Sequence, residues 1–254
     1  EIHYGEGLDG LLRARNNDLR GILNGIDYEE FNPDTDKYIC QNYNAQNYRE
    51  EKLKNKRELQ KQLGLEQDDN KLMIGMVTRL VSHKGLDLIT AIIDELLYNT
   101  EVRMIVLGSG DSSYENYFRG VAERHPDKFR VELGFDPGLA RKIYAGADLF
   151  LMPSKSEPCG LSQMIALRYG TIPIVRETGG LKDSVQDCGD GEGNGFTFKT
   201  YNAHDMLWAI TRGIDLYYND KTAWKAVVNR AMKSDNSWER SAGLYIDMYK
   251  EAMS

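Results

Sequence analysis

From Leu72 onward the chain alternates two rhythms. Short runs dominated by apolar residues cover 72–77, 102–107, 129–135, 149–152, 172–175 and 196–198. Between and after them lie stretches whose apolar positions recur every three or four residues. Runs with little polar alternation are strands buried on both faces, and the stretches with a 3.6-residue period are amphipathic helices. The spacing predicts helices over 86–97, 114–124, 139–144, 160–169, 203–217, 222–232 and 238–253. Strands alternating with helices predict a parallel sheet covered on both sides, and right-handed crossovers make it doubly wound. The expected fold class is therefore α/β and Rossmann-like.

The stretch before Leu72 is different. Residues 1–21 are rich in Gly, Arg and Asn, with one short helical phrase at 8–15. Residues 22–27 read as a short strand into a turn, and Pro33-Asp34 marks another turn. Residues 46–65 carry Leu53, Leu59 and Leu63 among alternating Lys, Arg and Glu, which predicts a helix with a solvated charged face, no partner site and a stop at Gly64. At the other end, Ser237 is placed to cap the last helix, with Arg240 at the capping-box position. Trp238, Tyr245 and Tyr249 form an aromatic stripe along that helix, expected in the core or between domains.

In an open parallel sheet, ligands bind at the carboxyl ends of the strands. Five such ends here carry chemistry. Arg79 and Lys84 follow the first strand, offering a guanidinium fork and a compact ammonium to phosphate, although both are equally compatible with surface charge. Gly108-Ser109-Gly110 ends the second strand, as a nucleotide approach or merely a turn. Phe135 follows the third strand and would stack a base if it is not core. The fourth junction, Pro153-Ser154-Lys155-Ser156-Glu157-Pro158-Cys159-Gly160-Leu161, runs from a buried strand straight into a helix start, a natural anion site. Glu157 within it repels phosphate unless it faces hydroxyls, and an anion site beside a carboxylate is what a nucleotide-sugar requires. Thr178-Gly179-Gly180 follows the next strand, where paired glycines open a turn and offer backbone N–H groups to phosphate. Several strand ends thus converge on one place.

Composition narrows the partners. The chain has 254 residues, 41% hydrophobic and 28% charged, with a net charge of -7, which argues against a general nucleic-acid or anionic-membrane surface. Cys40, Cys159 and Cys188 lie far apart, with neither metal spacing nor a disulfide framework, so a reducing cytoplasm is expected. His3, His83, His125 and His204 show no metal spacing, and no run has the length of a membrane helix. The first residue is Glu1 and the pattern starts mid-phrase, as expected of a piece of a longer chain.

Five phrases resemble a known family: Tyr4-Gly5-Glu6-Gly7-Leu8-Asp9-Gly10-Leu11-Leu12, Ile22-Leu23-Asn24-Gly25-Ile26-Asp27, Arg79 through Asp87, Pro153 through Gln163, and Arg176-Glu177-Thr178-Gly179-Gly180-Leu181. They are similar to the C-terminal, donor-binding half of bacterial glycogen synthases and plant starch synthases, retaining glycosyltransferases of the GT-B fold. The resemblance implies glucose transfer from ADP-glucose or UDP-glucose to the non-reducing end of an α-1,4-glucan. It implies that Arg79 and Lys84 hold the distal phosphate, that Glu157 faces the glucose hydroxyls with Cys159 nearby, and that Gly160 and Leu161 present N–H groups. Arg79, Lys84 and Glu157 would be the catalytic set. Thr178, Gly179 and Gly180 would line the diphosphate, Gly108 and Gly110 would border the nucleotide, and Phe135 stands where the family has a Tyr against the base. Ile165 stands where related transferases carry a second glutamate.

The resemblance further implies three parts. Residues 1–30 are a connector or the edge of an N-terminal domain, 31–236 the nucleotide-sugar-binding domain, and 237–254 a helix returning toward the other domain. The Lys-Thr-Gly-Gly-Leu loop of the N-terminal domain has no counterpart here, so the chain alone is expected to bind nucleotide and transfer little. The α-glucan acceptor would be held through that other domain, with no cofactor, metal, nucleic acid or membrane involved. A non-catalytic phosphosugar module and another GT-B transferase are the alternative readings.

Overall fold

The computed structural model describes residues 7–253. His3 and the Tyr4-Gly5-Glu6 start of the first phrase lie outside them. Helix α1 (Asp9–Ala14) is short, and α2 (Tyr48–Gln62) precedes the sheet. The alternating region then runs β1 (Met73–Val77), α3 (Leu86–Asn99), β2 (Arg103–Gly108), α4 (Ser112–Arg124), β3 (Phe129–Leu133), α5 (Pro137–Gly146), β4 (Leu149–Met152), α6 (Ser162–Arg168), β5 (Ile172–Arg176), α7 (Gly179–Ser184) and β6 (Phe196–Phe198). Helices α8 (Ala203–Asn219), α9 (Lys221–Lys233) and α10 (Trp238–Met253) close the described chain.

The sheet has six strands in the order β3-β2-β1-β4-β5-β6, every pair parallel. This is a doubly wound order, and it reverses direction between β1 and β4. There the strands part early. Pairing between them stops at Gly75↔Phe150, while the strands run on to Val77 and Met152. By contrast β1 stays paired to β2 through Val77↔Leu107. The divergence opens a crevice at the carboxyl edge.

The apolar runs are where the periodicity puts them, because these strands have helices on both faces. Met73, Ile74, Met104, Ile105, Val106, Leu149, Phe150 and Ile174 are all fully buried. Several boundaries move. The third strand stops at Leu133, because Gly134 turns to φ 131. Helix α6 starts at Ser162, leaving Gly160 and Leu161 in the turn ahead of it. Gly179 and Gly180 do not form a turn but open α7. Residues 22–27 contribute only an isolated bridge, Ile26↔Ser237.

Two larger expectations hold only in part. Helix α2 keeps a solvated charged face at Arg49, Glu50, Lys54, Arg57 and Lys61, but its charged and polar residues are not all solvated. Lys56 and Gln60 are buried in it, and Lys56 Nζ donates to Asp148 Oδ2 at 2.8 Å, Asp69 O at 3.1 Å and the Tyr217 hydroxyl at 3.2 Å. A buried cation is tolerable when every proton has an acceptor. Of the two places expected for the aromatic stripe of α10, the core is excluded: Trp238, Tyr245 and Tyr249 are 47%, 37% and 58% exposed. The helix is fastened at its start, where Arg240 N donates to Ser237 Oγ at 3.2 Å and Ser241 Oγ to Leu23 O at 2.8 Å.

The loop after α7 is tied to α8 by a forked ion pair. Arg212 donates to both Asp187 oxygens at 2.8 and 2.7 Å, and Thr197 N donates to Asp187 Oδ2 at 2.7 Å. Burial pushes the Asp187 carboxyl up, but Arg212 and the N–H groups of Thr197 and Gly189 more than offset it and hold it at about 2. The ordinary value is 3.8. The unfolded chain therefore binds the proton first, and this contribution to stability is complete above about pH 4 and lost as pH falls toward 2. Chemical denaturation between pH 2 and 5 should show stability falling with pH, and Asp187→Asn should flatten that slope. An unchanged slope in the variant would assign the acid sensitivity to other carboxylates.

Candidate functional site

Three loops meet over the crevice between β1 and β4. The first follows β1 and contains a one-turn 3-10 helix, Ser82–Lys84. It ends at Gly85, where φ is 76 and an added Cβ would sit 2.1 Å from the Pro153 carbonyl oxygen. No side chain fits, so glycine allows this loop to lie directly on the β4 loop. Lys155 N donates to His83 O at 2.9 Å across the same contact. The third loop closes from the other side. Gly180 N donates to the carbonyls of Glu157 and Pro158, both at 3.1 Å, and a Cβ on Gly180 would lie 2.1 Å from Cys159 O. Arg176 completes the staple, its Nε donating to Ser154 O at 3.0 Å and its Nη2 to Lys155 O.

That grip sets the side chains of the β4 loop. Glu157 accepts from Lys84 Nζ at 2.6 Å and from Ser154 Oγ at 3.1 Å. Both members of the pair are largely buried, with side chains 16% and 11% exposed. The ammonium and the carboxylate thus neutralise each other.

The carboxyl edge of the sheet also holds a cavity of about 490 Å³, whose walls include neither Lys84 nor Glu157. Arg79, Gly108 and Phe135 line it, each from the end of a different strand. Phe135 is 86% exposed, so it is not core; its ring stands free at the rim. Thr78, Tyr144, Ser162 and Ile165 form further wall. Burial pushes the Tyr144 hydroxyl up to about 12, so it stays a neutral donor.

The remaining expected residues fall elsewhere in the same crevice. Gly110 does not line the cavity; its N–H donates to Glu115 Oε1 at 3.0 Å, and it bridges Leu80. Cys159 and Gly160 turn inward, their carbonyls accepting from Gln163 Nε2 at 3.1 and 3.0 Å. Leu161 is half exposed ahead of α6, and Thr178 precedes α7. The sequence reading missed Glu30 and Arg141. Glu30 stands on the cavity wall, its carboxylate accepting from Arg141 Nη2 at 2.7 Å. The Arg141 guanidinium lies 3.8 Å over the Phe31 ring. Nothing in the sequence pairs residues so far apart. Among the described residues, no cluster of three or more His, Cys, Asp or Glu side chains is arranged to hold a metal, and no helix is long and apolar enough to cross a membrane.

The sequence family described as Glycosyl transferases group 1 matches residues 55–226, which hold all six strands and the three loops of the crevice, while Glu30 and Phe31 of the cavity wall lie outside the match. The chain belongs to this family. Its relatives include a glycogen synthase of Lachnospira eligens, 52% identical over 97% of this chain and 52% of that protein. A glycogen synthase of Clostridium beijerinckii is 54% identical over 98% of this chain and 52% of that one. Among solved structures, the catalytic domain of starch synthase IV from Arabidopsis thaliana, bound to ADP and acarbose, superposes with a TM-score of 0.91 at 38% identity, covering 99% of this chain and 52% of that one. The chain therefore spans about half the length of the curated relatives it matches. The Rossmann-like arrangement is shared with that GT-B starch synthase.

The loop contact in this group 1 domain can be tested by itself. Gly180 is helical, so Gly180→Ala adds only the methyl group that meets Cys159 O. Overpacking of this kind costs about 1–3 kcal/mol. Urea denaturation should show a lowered midpoint at unchanged m value. An unaltered midpoint would show that the loops separate without cost.

Proposed function

We propose that this chain is the donor-binding half of a glycogen or starch synthase. In this reading it holds ADP-glucose, with UDP-glucose as the second candidate. The glucose passes to the non-reducing end of an α-1,4-glucan with retention. The observation that carries the reading is that the loops at one sheet edge hold both the Lys84–Glu157 pair and a cavity lined by Arg79 and Phe135. The base and ribose occupy the cavity, with Phe135 against the base. Ile165 offers the ribose no polar group, and Glu30 is the carboxylate on that wall. The diphosphate runs past Arg79 to Lys84, and the glucose hydroxyls reach Glu157.

The chemistry follows from charge. Breaking the glucose–phosphate bond leaves negative charge on the nucleoside diphosphate and positive charge on the sugar. Arg79 and Lys84 oppose the first, fixed in place before the reaction begins. Glu157 orients the sugar and is not assigned as a nucleophile. No cofactor enters this scheme. The α-glucan is held by a further domain, which the greater length of the relatives supports, and the exposed stripe of α10 faces that domain. The chain alone therefore binds donor and transfers little. Its three free thiols suit a reducing cytoplasm.

Calorimetric titration with ADP, ADP-glucose and UDP-glucose tests the assignment. Lys84→Ala should weaken all three by roughly 1.5–3 kcal/mol, the value of a charge-assisted hydrogen bond. Unchanged affinity would leave Lys84 a structural partner of Glu157 and nothing more. Glu157→Gln separates the two roles. It frees Lys84, so bare ADP should bind as well or better, while ADP-glucose loses its advantage over ADP. Equal changes for both ligands would overturn the sugar-facing role.

A further inference from the structure

A second cavity, of about 340 Å³, opens at the opposite edge of the sheet, where β4 and β5 begin. Asp148 and Gly170 form its floor, α2 one side and α9 the other. It is a braced space. The Tyr48 hydroxyl donates to Lys225 O at 3.5 Å, tying α2 to α9. Tyr217 and Trp224 meet edge to face, with ring centroids 5.1 Å apart at 86°. Leu53 and Val228 complete an apolar, ring-lined interior.

The charge around it is lopsided. Arg49, Lys52, Lys56, Lys221 and Lys225 line the cavity against a single carboxylate, Asp148. Local structure accounts for two of the cations. Lys52 Nζ donates to Tyr144 O, Ala145 O, Tyr169 O and Thr171 Oγ1 at 3.1, 2.9, 3.2 and 2.7 Å. Those carbonyls belong to the C-terminal turns of α5 and α6, where the Tyr43 hydroxyl also donates to Tyr169 O at 2.8 Å and Thr171 Oγ1 to Tyr144 O. Lys56 is held by Asp148, Asp69 and Tyr217.

Arg49, Lys221 and Lys225 remain. Among the described residues none of them makes an ion pair with a carboxylate. Asp220, next in sequence to Lys221, is turned to cap α9 through Thr222 N and Ala223 N at 3.1 and 2.9 Å. Lys221 stands 3.8 Å over the Tyr217 ring, at the mouth. Burial lowers its pKa; Asp148 opposes that and Lys56 adds to it. The mouth thus holds three cations with no anion of their own.

We propose that this cavity is a second ligand site, built for a small phosphate ester with a flat ring body. The ring lies among Tyr48, Tyr217 and Trp224. The phosphate meets the Arg49 fork and the two lysines, and a dianion suits such a set better than a single carboxylate does. The volume falls in the range of small-molecule sites. The length of β4 separates this cavity from the Glu157 loop, and the inference does not rest on the donor-binding reading.

Phenyl phosphate is the probe. Titrated into the chain carrying Trp208→Phe and Trp238→Phe, it reports through Trp224, the one indole left of three. A saturable change with a dissociation constant below about 1 mM is expected. Lys221→Ala/Lys225→Ala, both exposed positions, should raise that constant at least tenfold, on the order of one lost charge-assisted contact. Arg79→Ala should leave it unchanged. Inorganic phosphate and phenol, each half of the probe, should bind at least about tenfold more weakly than the whole. A signal still linear at about 10 mM would overturn the site, because a millimolar constant would already have saturated it. Indifference to the lysine pair, or a loss on Arg79→Ala, would overturn it equally.

Discussion

The site exists because β1 and β4 part before either strand ends. Their pairing stops at Gly75↔Phe150, and the chain must then leave the sheet in opposite directions. A crevice left that way exposes backbone groups that need partners. The three loops supply them to one another. Gly85 lies on Pro153, and Gly180 donates into Glu157 and Pro158. Neither contact admits a side chain, so the spacing between the loops is set by backbone atoms alone. The positions of Lys84 and Glu157 are consequences of that spacing.

Two largely buried ion pairs mark the ends of β4, and they differ in kind. At the amino edge, Asp148 accepts from both Lys56 and Met73 N, each at 2.8 Å, while Lys56 spends its other protons on Asp69 O and Tyr217. That pair is saturated by the fold. At the carboxyl edge, Glu157 has Lys84 and Ser154, and among the described residues no backbone group of the fold holds that pair. Breaking the first leaves a buried charge with no substitute partner. On the donor-binding reading proposed above, a ligand exchanges the partners of the second.

Much of this was legible in the sequence. The strands are nearly unbroken apolar runs because both faces are covered, so composition alone located them to within two residues at most ends. The loops were legible as glycines and charges after strand ends. What glycine does there was not: Gly180 reads as a phosphate cradle, yet its N–H is taken by Glu157 O and Pro158 O. Gly110 reads the same way and serves Glu115. Glu30 with Arg141 was invisible, because the pairing is made by the fold across a long stretch of chain. Helix α2 misled for a simpler reason. Lysine reads as solvated, and the helix C-termini that Lys52 caps cannot be seen from the α2 sequence. The amphipathic pattern of α10 was plain, but a stripe does not say what it faces.

A carboxylate beside an anion site is a contradiction only while the two are considered singly. As a pair, Lys84 and Glu157 carry no net charge, and they lie 2.6 Å apart with both side chains largely buried. A lone phosphate approaching Lys84 gains an ammonium that Glu157 already holds, and it brings nothing to Glu157 in return. A ligand with phosphate at one end and hydroxyl donors at the other can meet both groups together. It separates the pair without leaving either charge unpartnered, which is the costly outcome for a buried group. On the donor-binding reading proposed above, selection against bare phosphate comes from the resting ion pair itself. The same logic explains why the loops must be rigid. If Glu157 could swing away, Lys84 would be a free cation, and any phosphate would serve.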